Sequence, residues 1–290
     1  MKSFTYSCPM TLDEAIHQLS SLKGESFILA GGTDMIPLMH VRRLPPMHIV
    51  DIKKIKYLKG VKKEGGQVRI GSTETVHDVS QAPLITQHYP ALHQAALSLG
   101  SFPVRCQATI GGNICRASPS GDLLPSLLLY NASAGVAGTN GKRIIKLSDF
   151  FLGPGETVLE KDEILTDILL PSPDSDSYAT YQKISPRRAM DLAVVGVAVG
   201  IWFSRGKIED VRIALGAVGP TPLRAIKAEM TWKDKNPVDW EEIGSVAATE
   251  CKPIGDIRGS ANYRRKLVAV YVTRMLDDLS RKLRGEKVIS

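Results

Sequence analysis

Hydrophobic and polar positions along this chain change period repeatedly, and the changes mark its elements. Residues 11–19 carry helical spacing, with Thr11 placed to cap the start and Glu14 to complete a capping box. A strand is predicted at 26–30, running into Gly31-Gly32. Residues 35–41 are apolar enough for a short buried helix, Pro45-Pro46 breaks it, and 48–52 reads as another strand. Residues 67–71 alternate like a half-buried strand. Helical segments are predicted to begin at 75–79 and to cover 88–99. Residues 122–130 predict a helix with Asp122 as N-cap and Pro125 tolerated in the first turn. Strand-like pieces at 134–137 and 143–146 and the segment 163–170 complete this half.

The stretch Pro171-Ser-Pro-Asp-Ser-Asp-Ser177 has no apolar periodicity and reads as a linker. Beyond it, strands are predicted at 178–184, 193–203 and 211–218, followed by helices at 224–233, 240–250 and 262–283. In the last helix Leu267, Val270, Tyr271, Met275, Leu276, Leu279 and Leu283 form the expected apolar face. Strands followed by helices predict an α+β second domain. The expected division is a first domain at 1–175, with subdomains of about 1–57 and 58–175, and a second at 178–285.

Composition narrows the class without naming a function. The chain has 290 residues, 43% hydrophobic and 23% charged, enough for a sizeable core. No apolar run reaches the roughly 18–20 residues that span a bilayer, and the first residues lack a signal-peptide stretch; a cytoplasmic protein without a membrane span is expected. The net charge of +7 comes partly from basic clusters such as Lys53-Lys54-Ile-Lys56 and Arg264-Arg265-Lys266. These read as solvated faces, the alternative being a docking face for an acidic partner. No aromatic residues are interleaved with them, so nucleic acid is not an expected partner. Cys8, Cys106, Cys115 and Cys251 show no metal spacing and read as reduced thiols, and the six histidines show no metal-ligand spacing either. No metal site is expected.

Two segments carry candidate chemistry: Phe27-Ile-Leu-Ala-Gly-Gly-Thr-Asp34 and Ala108-Thr-Ile-Gly-Gly-Asn113. Each reads as a strand-like piece entering a Gly-Gly turn that ends on small polar residues. Such turns bring main-chain amides together on an anion, and glycine lets the ligand approach closely. Alone, either is an ordinary turn; together they suit adjacent phosphates, as in a dinucleotide. Neither matches Gly-x-Gly-x-x-Gly or a Walker loop. Asp122 is either a helix cap or an acceptor for ribose hydroxyls, and Lys183 either a surface lysine or a cation offsetting charge on a reduced ring. No nucleophile–base set stands out, so no catalytic side chain is assigned.

The segments Leu29-Ala-Gly-Gly-Thr-Asp34 and Thr109-Ile-Gly-Gly-Asn113, about eighty residues apart, resemble the two FAD-pyrophosphate loops of the molybdenum hydroxylase flavoprotein subunits, the medium chains of the xanthine dehydrogenase and carbon monoxide dehydrogenase type. The similarity continues through Pro103-Val-Arg105, Ser120-Gly-Asp122, Gly153-Pro-Gly155, Asp162-Glu-Ile-Leu165, Tyr181-Gln-Lys183, Ala214-Leu-Gly-Ala-Val218, Thr221-Pro-Leu-Arg224 and Tyr263-Arg264, nearly the whole chain in the family's order. Cys106 stands where many members carry Asn, and Leu192 where some carry an aromatic near the flavin.

The resemblance implies an α+β fold: a two-subdomain FAD-binding domain of the vanillyl-alcohol-oxidase type, then a smaller α+β C-terminal domain. By the same resemblance Ile28, Leu29, Ala30, Gly31, Gly32, Thr33, Asp34 and Met35 wrap the pyrophosphate, and Thr109, Gly111, Gly112 and Asn113 form the second wall. Asp122 meets the adenosine ribose, Ile164 and Leu165 the adenine or ribose side, and Lys183 the flavin end. The segment 99–102, with Gly100, lies beside the isoalloxazine. The implied function is an oxidoreductase subunit passing electrons from partner [2Fe-2S] clusters through FAD to an external acceptor. The implied partners are a large subunit with the molybdenum cofactor and a small subunit with two [2Fe-2S] clusters, in a heterotrimer or a dimer of heterotrimers. The alternatives are a stand-alone FAD-dependent oxidoreductase and a flavin-free scaffold subunit.

Overall fold

The computed structural model describes residues 3–22, 26–41, 48–172, 176–187, 190–233 and 238–286. The Pro45-Pro46 break and linker residues 173–175 lie outside them.

The chain opens with β1 (Thr5–Ser7), α1 (Leu12–Ser21), β2 (Ser26–Leu29), α2 (Met35–His40) and β3 (His48–Asp51). The strands form a parallel sheet in the order β1-β3-β2. The capping box at Thr11 and Glu14 forms as the sequence predicts. Ala15 and Leu19 of α1 pack on Val50, Ile52, Ile55 and Leu58 in a small core of their own.

A second lobe follows: β4 (Val61–Glu64), β5 (Gln67–Gly71), α3 (Val76–Gln81), α4 (Pro83–His88), α5 (Pro90–Ser98), α6 (Phe102–Arg105), α7 (Ile110–Cys115), α8 (Leu123–Leu129), β6 (Ser133–Gly138), β7 (Gly141–Lys146), β8 (Phe151–Gly153), β9 (Glu156–Thr157) and β10 (Ile164–Leu170). Five strands make an antiparallel sheet, β4-β5-β10-β6-β7. The helix predicted over 88–99 begins only at Pro90, because proline opens a new first turn and the preceding segment closes its own helix at His88. Every residue of α8 is buried.

The last part holds β11 (Ser177–Ile184), β12 (Val195–Ser204), β13 (Lys207–Gly216), β14 (Leu223–Arg224), α9 (Ile226–Met230), α10 (Trp240–Glu250) and α11 (Ala261–Leu283). The strands pair antiparallel in chain order. Both faces of this sheet are covered, which is why β12 reads as a continuous apolar run rather than an alternating one. Val197, Val199 and Ile201 face α10 and α11. Ala198, Trp202 and Ala214 join the core of the second lobe. Where that second face meets α8, the residues are small for a reason. A Cβ on Gly216 would lie 2.9 Å from Pro125 Cγ, so glycine lets α8 sit directly on the sheet.

Two predicted elements shift. The helix expected from residue 224 starts at Ile226, since Arg224 pairs in β14. The buried face of α11 runs through Arg264, Val268, Val272, Met275, Leu276 and Leu279, leaving Val270 exposed. Arg264 sets this rotation: its guanidinium is 2% exposed and donates to the carbonyls of Val194 and Ala217 and to Asp256, which draws its face of the helix inward.

Candidate functional site

The first glycine pair follows β2, as the pattern predicts. Gly32 has φ +73°, in the left-handed region. Gly31 is constrained by space: a Cβ there would overlap the Gln107 carbonyl oxygen and lie 2.9 Å from Ala108 Cα. The first loop therefore rests on the main chain that leads into the second. Among the described residues, the amides of Gly31, Gly32, Thr33 and Asp34 make no hydrogen bond within the chain. Ile28, Leu29 and Ala30 lead into this loop, and Met35 opens α2 behind it.

The second pair departs from the expected strand-and-turn. Residues 108–110 contribute only an isolated bridge, Thr109 to Thr75. Thr109 instead caps α7, its hydroxyl accepting from Gly112 N at 3.1 Å, so Gly111 and Gly112 lie inside the first helical turn. The glycines serve close packing. A Cβ on Gly111 would come 2.6 Å from Ser72 O, and one on Gly112 2.8 Å from Thr109 Oγ1. Beside this helix Asn113 Oδ1 and Ser72 Oγ are buried without a hydrogen-bond partner.

The loops are also joined by charge. Asp34 stands at the N-cap of α2 but makes no capping bond. Its Oδ1 lies 3.5 Å from Nε of Arg116 at the end of α7. Arg116 thus offsets a carboxylate that would otherwise oppose an anion in the loop. The pair is solvent-exposed, so its contribution to stability is about 0–1 kcal/mol. Gly155, with φ +81°, donates its amide to Ala117 O at 2.9 Å, which lays the Gly153-Pro-Gly155 turn against the end of the same helix.

A second grouping lies where the second lobe meets the C-terminal sheet. Asp122 does not cap α8, because its own backbone is already helical and its carboxylate turns to β11. Lys183 Nζ donates to Asp122 Oδ2 at 2.9 Å and to Ser98 O at 3.3 Å, and the Tyr181 hydroxyl donates to Asp122 Oδ1 at 3.3 Å. Burial pushes the Asp122 carboxyl up, against the pull of Lys183 and Tyr181. Burial, with Asp122 beside it, raises the Tyr181 hydroxyl well above its usual value. Ser98 leads directly into the 99–102 segment, where Gly100 has φ +50° and Arg105 Nη1 holds Leu99 O at 3.0 Å. Phe102 is exposed and rests edge-on against the His77 ring.

Residues 2–173 match the FAD binding domain in molybdopterin dehydrogenase, and residues 180–279 match the CO dehydrogenase flavoprotein C-terminal domain. The chain belongs to the FAD-binding subunit family of the molybdenum hydroxylases. It is 33% identical to the glyceraldehyde dehydrogenase medium chain of Sulfolobus acidocaldarius, over 96% of this chain and 98% of that one. It is 31% identical to the carbon monoxide dehydrogenase medium chain of Hydrogenophaga pseudoflava, over 94% and 96%. Among solved structures, carbon monoxide dehydrogenase from Hydrogenophaga pseudoflava superposes with a TM-score of 0.90 at 32% identity, covering 96% of this chain and 97% of that one. The two-part α+β architecture expected from the sequence is the architecture of this flavoprotein family, and the chain is an oxidoreductase subunit.

For a flavoprotein subunit, the geometry bears on one pair of expected roles. Asp122 at the adenosine ribose and Lys183 at the flavin end would place them at opposite ends of an extended FAD, yet they form a direct ion pair. The structure brings the two side chains together. The Ile164 and Leu165 side chains are buried in the cores. Their main chain pairs with β6 on one side, while β5 pairing begins only at Asp167, so among the described residues no strand pairs their other edge. Sequence reading missed Ser72, Ser98, Arg116 and Tyr181, since none lies in a glycine motif and their importance comes from contacts across the fold. Tyr181 was the most accessible of these, being two residues from Lys183 and so on the same face of a strand. Among the described residues no helix is long and apolar enough to cross a membrane.

Proposed function

We propose that this chain carries electrons within a multi-subunit molybdenum hydroxylase, from [2Fe-2S] clusters on a small partner subunit through FAD to an external acceptor. The observation that carries the reading is the seating of the Gly31–Asp34 loop, with its unpaired amides, on the main chain entering α7. Such amides suit a diphosphate. The glycines let the two segments pack closely on each other and on Ser72, and the unpartnered Asn113 Oδ1 and Ser72 Oγ offer further polar contacts.

On this reading Gly31, Gly32 and Thr33 hold the pyrophosphate by their amides, framed by Ile28, Leu29, Ala30, Asp34 and Met35. Thr109, Gly111, Gly112 and Asn113 form the facing wall. The main chain at Ile164 and Leu165, whose second edge no strand among the described residues pairs, takes the adenine side, and Lys183 with Asp122 and Gly100 takes the ring end. Bound FAD supplies the electron-transfer chemistry. The chain's own residues bind it, orient it and set its charge environment, and no side chain is needed as an acid or base. The large partner carries the molybdenum cofactor and the substrate site, and the working assembly is a heterotrimer or a pair of them.

Untagged purification from a native source tests this. Released FAD, iron–sulfur absorbance and two further chains are expected. A colourless chain that takes up no added FAD would overturn the cofactor assignment. A flavin-bearing lone chain with full substrate turnover would overturn the electron-transfer role.

A further inference from the structure

The Lys183–Asp122 pair does more than a domain contact requires. Each side chain is only 9% exposed. Apolar residues already join the two domains here: Pro125 packs on Gly196 and Gly216, and Ala198 and Ala214 share the core of the second lobe. A buried ion pair is a poor bolt, since desolvation offsets most of its attraction and apolar residues of similar size serve as well or better. Its distinguishing property is electrostatic. An ammonium in a poorly screened site acts over several ångströms, and a carboxylate 2.9 Å away cancels most of that field. Ser98 O takes a second N–H of the ammonium, and among the described residues the third has no partner. Ser98 also begins the turn through Gly100.

Resting on the FAD reading above, we propose that Asp122 and Tyr181 are positioning residues that fix Lys183 at the ring end of the cofactor and meter how much of its positive charge the ring feels, so that the pair sets the flavin's reduction potential. Reduction by two electrons and one proton leaves the ring with one added negative charge. A free cation beside it favours that charge, and a cation masked by Asp122 favours it less. The Tyr181 hydroxyl, donating to Asp122 Oδ1, holds the carboxylate so that Oδ2 meets Lys183.

The test uses the assembled holoenzyme, with variants D122N, K183M and the conservative D122E. Three quantities are measured: the flavin midpoint potential by spectroelectrochemical titration, FAD affinity by reconstitution, and thermal stability. D122N unmasks the ammonium and is expected to shift the reduction equilibrium at least tenfold toward the reduced form, about 30 mV for a two-electron couple. K183M is expected to shift it the opposite way, and D122E to restore most of the wild-type value. D122N and K183M enzymes that bind FAD but keep reduction equilibria within threefold of wild type would overturn the proposal and leave the pair a structural contact. If D122N does not assemble, K183M alone decides the sign. Wild-type protein that takes up no FAD would instead overturn the cofactor reading on which this rests.

Discussion

At the scale of single residues, the two glycine pairs look alike in sequence and do different work. Gly32 supplies a left-handed φ, while Gly31 and Gly111 supply empty space against another segment's backbone. Backbone atoms cannot move aside as a flexible side chain can, so a methyl at either position forces a main-chain shift. Overpacking of this kind costs about 1–3 kcal/mol. G31A is expected to loosen the seat of the first loop on Gln107 and Ala108 and to weaken FAD retention by roughly tenfold or more, measured by flavin release on dilution. G111A presses on Ser72 beneath α7 and is expected to lower thermal stability even without FAD, measured by melting the cofactor-free chain. Cys251 illustrates the opposite case, a residue whose reactivity is removed by packing. Its buried thiol donates to Ala247 O and is pushed up to about 12, so it stays protonated at neutral pH.

At the scale of elements, several family motifs fasten segments together. Arg224 of Thr221-Pro-Leu-Arg224 pairs with buried Glu229 through two nitrogens and reaches Leu128 O and Asn131 Oδ1 at the end of α8. Arg212 reaches Leu129 O from the neighbouring strand. The C-terminal sheet thus holds α8 at its far end, as Lys183 and Tyr181 hold Asp122 at its start. R224A leaves Glu229 buried without its ion partner, held by the Ile213 amide, and is expected to cost about 3–5 kcal/mol, read from denaturant unfolding. Asp162 and Glu163 play a similar part at the β6–β7 hairpin. Asp162 Oδ2 accepts from Thr139, and Glu163 takes a two-point contact from Arg143, which together place the strand that starts at Ile164. In the loop before α11, hydrogen bonds from Arg258, helped by Arg264, hold the Asp256 carboxyl well below the usual carboxylate range. A depressed carboxylate stabilises the fold above its ordinary value of 3.8, and that contribution is lost as pH falls through the folded value. D256N should therefore be less stable than wild type at neutral pH. The gap should narrow as pH drops below 3.8, in melts recorded across an acid series.

At the scale of the molecule, the cores are unequal. The second lobe shares its core with one face of the C-terminal sheet, whereas the first lobe has a small core completed by Ile164 from β10. The shared core predicts that the second lobe and the C-terminal domain open together. The first lobe, with few buried apolar contacts, should open at lower free energy. A dinucleotide seated between the two glycine segments would tie that lobe to the rest, since a ligand bound only by the native state stabilises it. Removing FAD is expected to speed amide exchange in α1 and β1–β3 far more than in α8. Equal acceleration in both regions would count against the two-loop seat.

The legibility of this protein divides along the same line. Periodicity and capping chemistry located α1, β5, α10 and most of the C-terminal strands, because those signals are local and the fold agrees with them. The glycine segments were visible too, since Gly-Gly before a small polar residue is rare enough to notice. Short β1, β4 and β14 were not, being two to four residues long and defined by their partners. The sequence by itself determined the family, the order of the longer elements and the position of both glycine segments, all of which rest on residue types at fixed spacings. Only the tertiary structure decided that Gly111 and Gly112 lie in a helix, that Asp122 serves Lys183 rather than its own helix, and that Arg264 is buried. Each of these outcomes involves a segment distant in the chain, Ser72 beneath Gly111, Lys183 beside Asp122 and the Val194 and Ala217 carbonyls around Arg264, and residue spacing carries no such information.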